Sequence, residues 1–423
     1  MDLSAAFKRL DKSNRRLLQN LLSLLSAEGV HRISRLLSII VIARALGVEA
    51  YGTMVFVAIC HESFRSLSKL SGGLLIIQCK QRDLLWVAQQ AASLNWGIAI
   101  ITMILQWQLA NVIGSYFNQL EAATLLKYSA LAHLLYPLVM VRVNLMHRRQ
   151  QLKRFAVLST SSVVVEDLSC AFLAFYLQSA WCIVYAKLAS AAVWCFLFYR
   201  YSEDNIEAEF KANLAHKLLR QAIPVFGSEL AKQFRLSCDV FIAARVLGPE
   251  AFGFYSFARN AAIGIAQSLG NAFLRAIHPY LAKEFSRNEG FSAIWRSYGL
   301  CLVTSSFFVL QSLLAPLYVP LLFGEAWQGA VKLVSLLCYA SVALLLLDCS
   351  LLIIRCLNYF KWEALLQSSG LLSLCALLQF SYFDSAYSFA QAFVVGLGLL
   401  SFLSMIALNV VLYFNKMPGG HYE

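Results

Sequence analysis

Charge is what this sequence has least of. Only 14% of its 423 residues are Asp, Glu, Lys or Arg, while 59% are hydrophobic and the mean hydropathy is +0.64. Soluble domains carry about a quarter charged residues, so the scarcity excludes an ordinary soluble protein and sets the chain among polytopic membrane proteins. Other absences narrow the chemistry. No GxxxxGK phosphate loop occurs, so the chain does not hydrolyse ATP by itself, and no GxSxG elbow offers a nucleophile. His61-Glu62 opens like a zinc-protease helix, but Arg65 stands where the second histidine belongs. The eleven cysteines lie almost all within apolar runs and form no CxxC pair, which argues against a disulfide framework or a zinc site. No motif implies a cofactor. The loops expected on the outer face are short, leaving no extramembrane domain to polymerise or ligate sugars, and no enzyme activity is expected.

What is present is a series of apolar runs. About 20 residues suffice to cross a bilayer, and the chain divides into about twelve such spans: 17–45, 51–77, 84–108, 121–146, 155–177, 181–199, 214–246, 251–278, 291–315, 329–357, 362–381 and 388–414. With the N-terminus inside, the seven cytoplasmic segments hold nineteen Lys or Arg and the six outer loops none. That asymmetry is what the positive-inside rule requires, and it places both termini in the cytoplasm. The net charge of +12 is then mostly a topology device; the partner it implies is the lipid bilayer and not nucleic acid. The basic leader 1–16 suits either a short helix on the inner headgroups or a plain topogenic cluster. It is not a secretory signal, because Glu28, His31, Arg32 and Arg35 interrupt the apolar stretch that follows.

Ala43 to Phe56, ARALGVEAYGTMVF, returns 201 positions later as Ala244 to Phe257, ARVLGPEAFGFYSF, with eight of fourteen positions identical. A repeat at half the chain length predicts two similar halves. In each copy Leu-Gly ends one apolar segment, and a new one opens a few residues on, as in the corner of a helical hairpin. Six spans separate the copies, so the halves enter the membrane in the same sense. Such a parallel repeat is common among secondary transporters. The expected organisation is a leader 1–16, a first six-helix lobe 17–200, a cytoplasmic linker 201–213, a second lobe 214–414 and a tail 415–423. The fold class is all-α, polytopic, with about 12 transmembrane helices in two lobes.

Charges inside the spans are the informative ones. Glu28, His31, Arg32 and Arg35 share one face of the first span, and His61, Glu62, Arg65, Ser68 and Lys69 one side of the second. Glu229, Lys232, Arg235 and Asp239 cluster on the seventh. On the eighth, Asn260, Gln267, Asn271, Arg275 and His278 form a stripe with Arg259 at its edge. A cation at the bilayer centre costs about 2.5–3.5 kcal/mol even on the lenient insertion scale. Eight facing lipid would therefore cost on the order of 20 kcal/mol, so these faces must turn toward one another or toward water. Ion pairing is expected for Glu28 with Arg32 or Arg35, Glu62 with Arg65 or Lys69, and Asp239 with Arg235. The cations Arg32, Arg35, Arg65, Lys69, Lys232, Arg235, Arg259 and Arg275 nevertheless outnumber the carboxylates Glu28, Glu62, Glu229 and Asp239. A positive surplus in a confined space attracts anions, and the guanidinium fork suits phosphate oxygens.

Other charges carry less weight. Arg44 and Arg245 are read as bracing the hairpin corners, and Lys187 and Arg355 as snorkelling to the inner face. Arg142, Glu166, Asp167, Lys332 and Asp348 lie deeper, as interhelical glue or pathway. His133 and Pro137 suit a local bend in the fourth span.

The ARALGVEAYG corner, with the later SCDVFIAARVLGPEAFGFYSFARN leading through to HPYLAKEF, resembles the polysaccharide-export branch of the multidrug/oligosaccharidyl-lipid/polysaccharide (MOP) flippase superfamily, near the O-antigen flippases. The resemblance implies two six-helix lobes arranged as a V, with helices one, two, seven and eight lining a cavity. It implies movement of a polyprenyl-(pyro)phosphate-linked oligosaccharide from the inner to the outer leaflet of a bacterial inner membrane by alternating access. On this reading the eight cations hold the phosphate. Glu28, Glu62, Glu229 or Asp239 couples movement to H⁺ or Na⁺, and polysaccharide polymerase or assembly proteins are candidate partners. Two rivals remain: a multidrug or cation antiporter of the same fold, and a non-transporting membrane subunit of a glycan assembly complex.

Overall fold

The computed structural model describes residues 12–71, 73–201, 237–264, 290–357 and 359–416, with scattered positions between 223 and 284; side chains at 12–28, 69, 71, 74–75, 78, 290–291, 360 and 413–416 lie outside that description. Among the described residues every regular element is helical. Contacts divide the chain into two compact units, Met1–Ser237 and Cys238–Glu423.

The first unit contains α1 (Lys12–Ala45), α2 (Val48–Arg65), a 3₁₀ segment (Ser66–Ser71), α3 (Gly73–Gln78), a second 3₁₀ segment (Gln81–Asp83), α4 (Leu84–Tyr116), α5 (Leu120–Ser129), a third 3₁₀ segment (Ala130–Leu134), α6 (Pro137–Arg148), α7 (Leu152–Leu177) and α8 (Trp181–Tyr201). Helix α7 packs along both α1 and α8, α4 against α5, and α3 against α6. Val139, Val143, Leu158 and Phe198 close the seam between α6, α7 and α8. Ile76, Ala88, Val141 and Leu145 close the one between α3, α4 and α6.

In the second unit a helical run 237–246 leads to α9 (Pro249–Arg259), a π turn (Asn260–Gly264), α10 (Gly290–Phe323), a 3₁₀ segment (Glu325–Ala330), α11 (Val331–Cys356), α12 (Phe360–Phe380) and α13 (Ala386–Lys416). Helix α11 is central, packing on α10 and α13. Its Cys349 and Ile353 join Tyr298, Phe308 and Leu408 in one buried cluster. The outer loop expected at 316–328 is mostly helix, because α10 continues through Pro316 and Pro320 to Phe323. Gly324, at φ 100, then makes the turn.

Seven described helices are long and apolar enough to cross a membrane, and the pair Leu120–Leu134 and Pro137–Arg148, bent by 57°, supplies an eighth span. These account for eight of the twelve expected runs. The other four are the first two of each half, where the charges lie. Helix α1 is helical throughout and, with 34 residues, about 50 Å long. The second run, 51–77, is interrupted instead: α2 stops at Arg65 and a 3₁₀ segment follows. Most of 214–246 lies outside the described residues.

The repeated corner folds alike in both units. Leu46 N–H donates to Ile42 O at 2.9 Å and Tyr51 N–H to Gly47 O at 3.0 Å; 201 residues on, Leu247 donates to Ala243 at 2.9 Å and Phe252 to Gly248 at 2.8 Å. In both copies the first helix ends just before Leu-Gly, the helix stop the sequence suggests. Gly47 (φ −66°, ψ 161°) and Gly248 (φ −68°, ψ 164°) are extended N-cap residues of the following helix. Phe56 and Phe257 end each copy fully buried. The first packs on Phe117 at 5.3 Å between ring centroids, the second on Trp327 at 4.1 Å.

Candidate functional site

A buried carboxylate on α7 fixes the cationic face of α1. Asp167 is 1% exposed and accepts from Arg35 Nη1 at 3.1 Å. Its second oxygen accepts from Ser34 Oγ at 3.2 Å. Adjacent residues on α1 thus occupy both oxygens, which meets the requirement that a buried charge be paired and hydrogen-bonded. Arg35 remains 54% exposed, with Nη1 on Asp167. Arg32, one turn earlier, is half-buried.

A four-charge cluster ties α2, α7 and α8. Arg65 Nε donates to Glu62 Oε2 at 2.7 Å, and Lys187 Nζ bridges Glu62 Oε1 at 2.8 Å and Glu166 Oε1 at 2.7 Å. Ser190 Oγ completes Glu166 from 3.0 Å. The Lys187 side chain is 8% exposed, so it is buried between two carboxylates and does not snorkel to the inner face as its position in the sequence suggests. Two positive and two negative groups cancel, and the hydrogen bonds offset part of the desolvation cost. The sequence reading pairs Glu62 with Arg65 correctly. It omits Glu166, Asp167 and Lys187 from the charge count, and including them lowers the positive surplus by one.

Beside this cluster the first unit holds a partly open cavity of about 430 Å³ lined by residues of α2, α4, α6, α7, α8 and the 3₁₀ segments Ser66–Ser71 and Ala130–Leu134. The bend at Pro137, whose nitrogen has no hydrogen to donate, brings His133 and Tyr136 to its wall. The Arg65 guanidinium lies 5.8 Å from the Tyr136 ring centre, a cation–π distance. Behind it His133 stacks on His61 at 4.4 Å, and its Nε2 lies 2.7 Å from Gln106 Oε1.

In the second unit Asp239 is the buried carboxylate. Tyr255 Oη donates to its Oδ2 at 2.9 Å, and Arg259 Nη2 to its Oδ1 at 3.0 Å, while Arg259 Nε bonds Oδ2. Tyr255 and Arg259 are four residues apart on α9, so one helix face presents both donors. Asp239 therefore pairs with Arg259, across the corner; the pairing with Arg235 expected from the sequence lies outside the described residues. The π turn begins immediately after Arg259, and Gln311 Nε2 donates to the Ala261 carbonyl there at 2.9 Å. At the end of α11, Arg355 pairs with Glu363 of α12. Lys232, Arg235, Arg275 and Glu229, with the side chains of Lys69 and Glu28, lie outside the described residues.

Two helical units with buried ion pairs and eight apolar spans among the described residues define a polytopic membrane protein with a MOP-type fold. An inward-facing multidrug resistance MATE family transporter has a TM-score of 0.68 at 12% identity, covering 93% of this chain and 98% of that one. The lipid II flippase MurJ, in an inward closed conformation, has a TM-score of 0.70 at 13% identity, covering 94% of each chain. At such identities the likeness speaks for the fold. The family model described as "Polysaccharide biosynthesis protein" matches residues 41–332, and the chain belongs to that family. The lipopolysaccharide biosynthesis protein WzxC of Escherichia coli (strain K12) is 23% identical over 249 residues, which cover 58% of this chain and 51% of that protein. The match thus spans about half of this relative's length.

Proposed function

We propose that the protein is a flippase that moves a polyprenyl-(pyro)phosphate-linked oligosaccharide, such as an O-antigen or exopolysaccharide repeat unit, from the cytoplasmic to the outer leaflet by alternating access. Family membership supports the substrate class. The observation that carries the mechanism is the state of Arg35 and Arg65. Each is held to one carboxylate on a membrane helix, yet their side chains remain 54% and 48% exposed. A guanidinium has five donors in a fixed fork. One fixed to a carboxylate by part of that fork is pre-oriented to receive phosphate oxygens with the rest, at little further entropic cost. Arg32, Lys69, Lys232, Arg235, Arg259 and Arg275 complete the proposed cationic set. Glu62 and Asp239, with Glu28 and Glu229, are the groups proposed to couple movement to H⁺ or Na⁺. The proposed setting is the bacterial inner membrane with both termini cytoplasmic.

The test is complementation. The gene is deleted in its host and restored as wild type, Arg35→Ala or Arg65→Ala at matched membrane expression, and surface polysaccharide is measured together with lipid-linked repeat units. The flippase reading expects surface glycan to fall at least tenfold in the variants while the lipid-linked intermediate accumulates. Normal surface glycan in both variants overturns the arginine mechanism. Export of organic cations by the wild type, without effect on glycan, would establish the antiporter instead.

A further inference from the structure

A groove of the first unit lies where α7 begins and α8 ends, and it shares no lining residue with the cavity at Arg65. It is open, about 720 Å³ in volume, and its lining includes Lys153, Arg154, Val157 and Leu158 of α7 with Leu197 and Tyr201 of α8. Its two ends differ in chemistry. Lys153 and Arg154, both exposed, and Tyr201 form the rim, and the Arg200 guanidinium lies 6.0 Å from the Tyr201 ring, so a third cation stands there. Arg154, Val157, Leu158 and Ser161 are spaced i, i+3, i+4 and i+7 on one face of α7, so the groove runs for about two turns, roughly 10 Å. Ser161 Oγ donates to the Val157 carbonyl of its own helix at 2.9 Å, which leaves the floor apolar in effect.

The rim is positive without a counter-charge. Among the described residues no Asp or Glu lines the groove, the first turn of α7 carries no acid, and no ion pair includes Lys153 or Arg154. The positive end of the α7 dipole adds to the potential. The positive-inside rule accounts for cations on this face of the membrane, but not for their standing at the head of an apolar groove. Rim and floor together select the ligand. A free phosphate would leave the floor unused, where Val157 is 55% exposed, and an apolar segment would leave the cations without a partner. An anionic amphiphile satisfies both, and basic pockets between membrane helices at the bilayer surface bind anionic lipid headgroups. Phospholipid is the medium around the groove, so even a weak site fills by mass action.

We propose that the groove is a binding site for an anionic glycerophospholipid of the adjoining leaflet, with its phosphate at Lys153 and Arg154 and the start of an acyl chain along Val157, Leu158 and Leu197. The bound lipid ties the beginning of α7 to the end of α8 and supplies the counter-charge of the rim. The proposal requires only that these helices lie in a membrane, so it stands apart from the flippase reading.

The test is native mass spectrometry of the full chain released from nanodiscs of equal phosphatidylglycerol and phosphatidylethanolamine. Wild type should retain phosphatidylglycerol in preference, and inorganic phosphate should not displace it. Each cation near a lipid surface contributes about fivefold in affinity, so Lys153→Gln with Arg154→Gln should lower that retention about 25-fold. Lys80→Gln with Arg82→Gln, which changes two exposed cations outside the groove, should leave it unchanged. Val157→Trp fills the floor and spares the cations, and it should weaken retention as well, with thermal unfolding of every variant compared with wild type. No preference for phosphatidylglycerol in wild type overturns the site, as would follow if the acidic run from Glu203 to Glu209, next in the sequence, neutralised the cations instead. Equal loss in both cation pairs overturns it in favour of general surface attraction, and retention unaffected by Val157→Trp reduces it to a phosphate contact. Displacement by equimolar polyprenyl phosphate overturns it in favour of a station for the transported lipid.

Discussion

The two units share the backbone of their first corner and part company in their buried charges. From Leu46 to Phe56 and from Leu247 to Phe257 the helix stop, the extended glycine and the buried terminal phenylalanine coincide. Yet Ser38, Met54 and Ala58 stand where the second unit has Asp239, Tyr255 and Arg259. In the other direction Leu236, Ile263 and Ala266 stand where the first has Arg35, Glu62 and Arg65. The first unit holds a network reaching across α1, α2, α7 and α8; the second holds a closed triad formed across its own corner. The repeat thus fixes where the chain turns, while the ion chemistry is particular to each unit. A triad whose carboxylate is 2% exposed and whose guanidinium is 12% exposed clamps the corner, and the coupling and phosphate roles proposed for Asp239 and Arg259 require it to open. A network with two half-exposed guanidiniums retains donors for a ligand.

That contrast can be broken most sharply at Asp239. Asp239→Leu leaves the Arg259 guanidinium without its carboxylate in a site 12% exposed, and loss of one partner of a buried pair costs about 3–5 kcal/mol. Denaturant unfolding in mixed micelles should show a loss of that size, and Asp239→Leu with Arg259→Met should recover most of it. In the first unit Lys187→Met removes the bridge between Glu62 and Glu166 while Arg65 remains. The expected loss is smaller, about 3 kcal/mol, with Glu166→Gln in the same chain recovering roughly half. An equal loss at both sites, or no recovery in either double variant, would contradict the distinction between network and clamp.

The smallest effect sharpens what the units share. Gly47→Ala and Gly248→Ala place a Cβ that meets nothing within 4 Å on a backbone already at negative φ. The entropic gain of Gly→Ala, about 0.4–1 kcal/mol, opposes the poorer N-cap preference of alanine. Both variants should therefore change stability by less than about 1 kcal/mol, and by the same amount. A large loss at one corner only would show that the two corners differ in ways their hydrogen bonds do not reveal.

The corner, its period of 201 residues and eight of the spans were legible in the sequence because apolar run length and local hydrogen bonding are properties of contiguous chain. The bend at Pro137 was legible for the same reason. What escaped was pairing between helices distant in sequence. Asp167 meets Arg35 across 132 positions and Lys187 meets Glu62 across 125, and nothing local records that α7 lies against α1. A signal was nonetheless available: Glu166, Asp167 and Lys187 are charges inside otherwise apolar spans, and each needed a partner as much as the arginines did. The helix stop at Leu-Gly was legible, whereas the use of each glycine as the extended N-cap of the next helix was not, because Leu-Gly alone does not mark an N-cap.

The central claim is that partly exposed guanidiniums, held in place by neighbouring carboxylates, carry an anionic lipid-linked glycan across the bilayer. It is tested most directly in proteoliposomes containing the host's lipid-linked repeat unit, by following how fast the inner-leaflet pool becomes accessible to an impermeant glycosidase or periodate. The account predicts that wild type exposes the inner pool, that Arg35→Ala slows exposure at least tenfold, and that Arg35→Lys, which keeps the charge but loses the fork, falls between. Exposure at the wild-type rate in Arg35→Ala would contradict it.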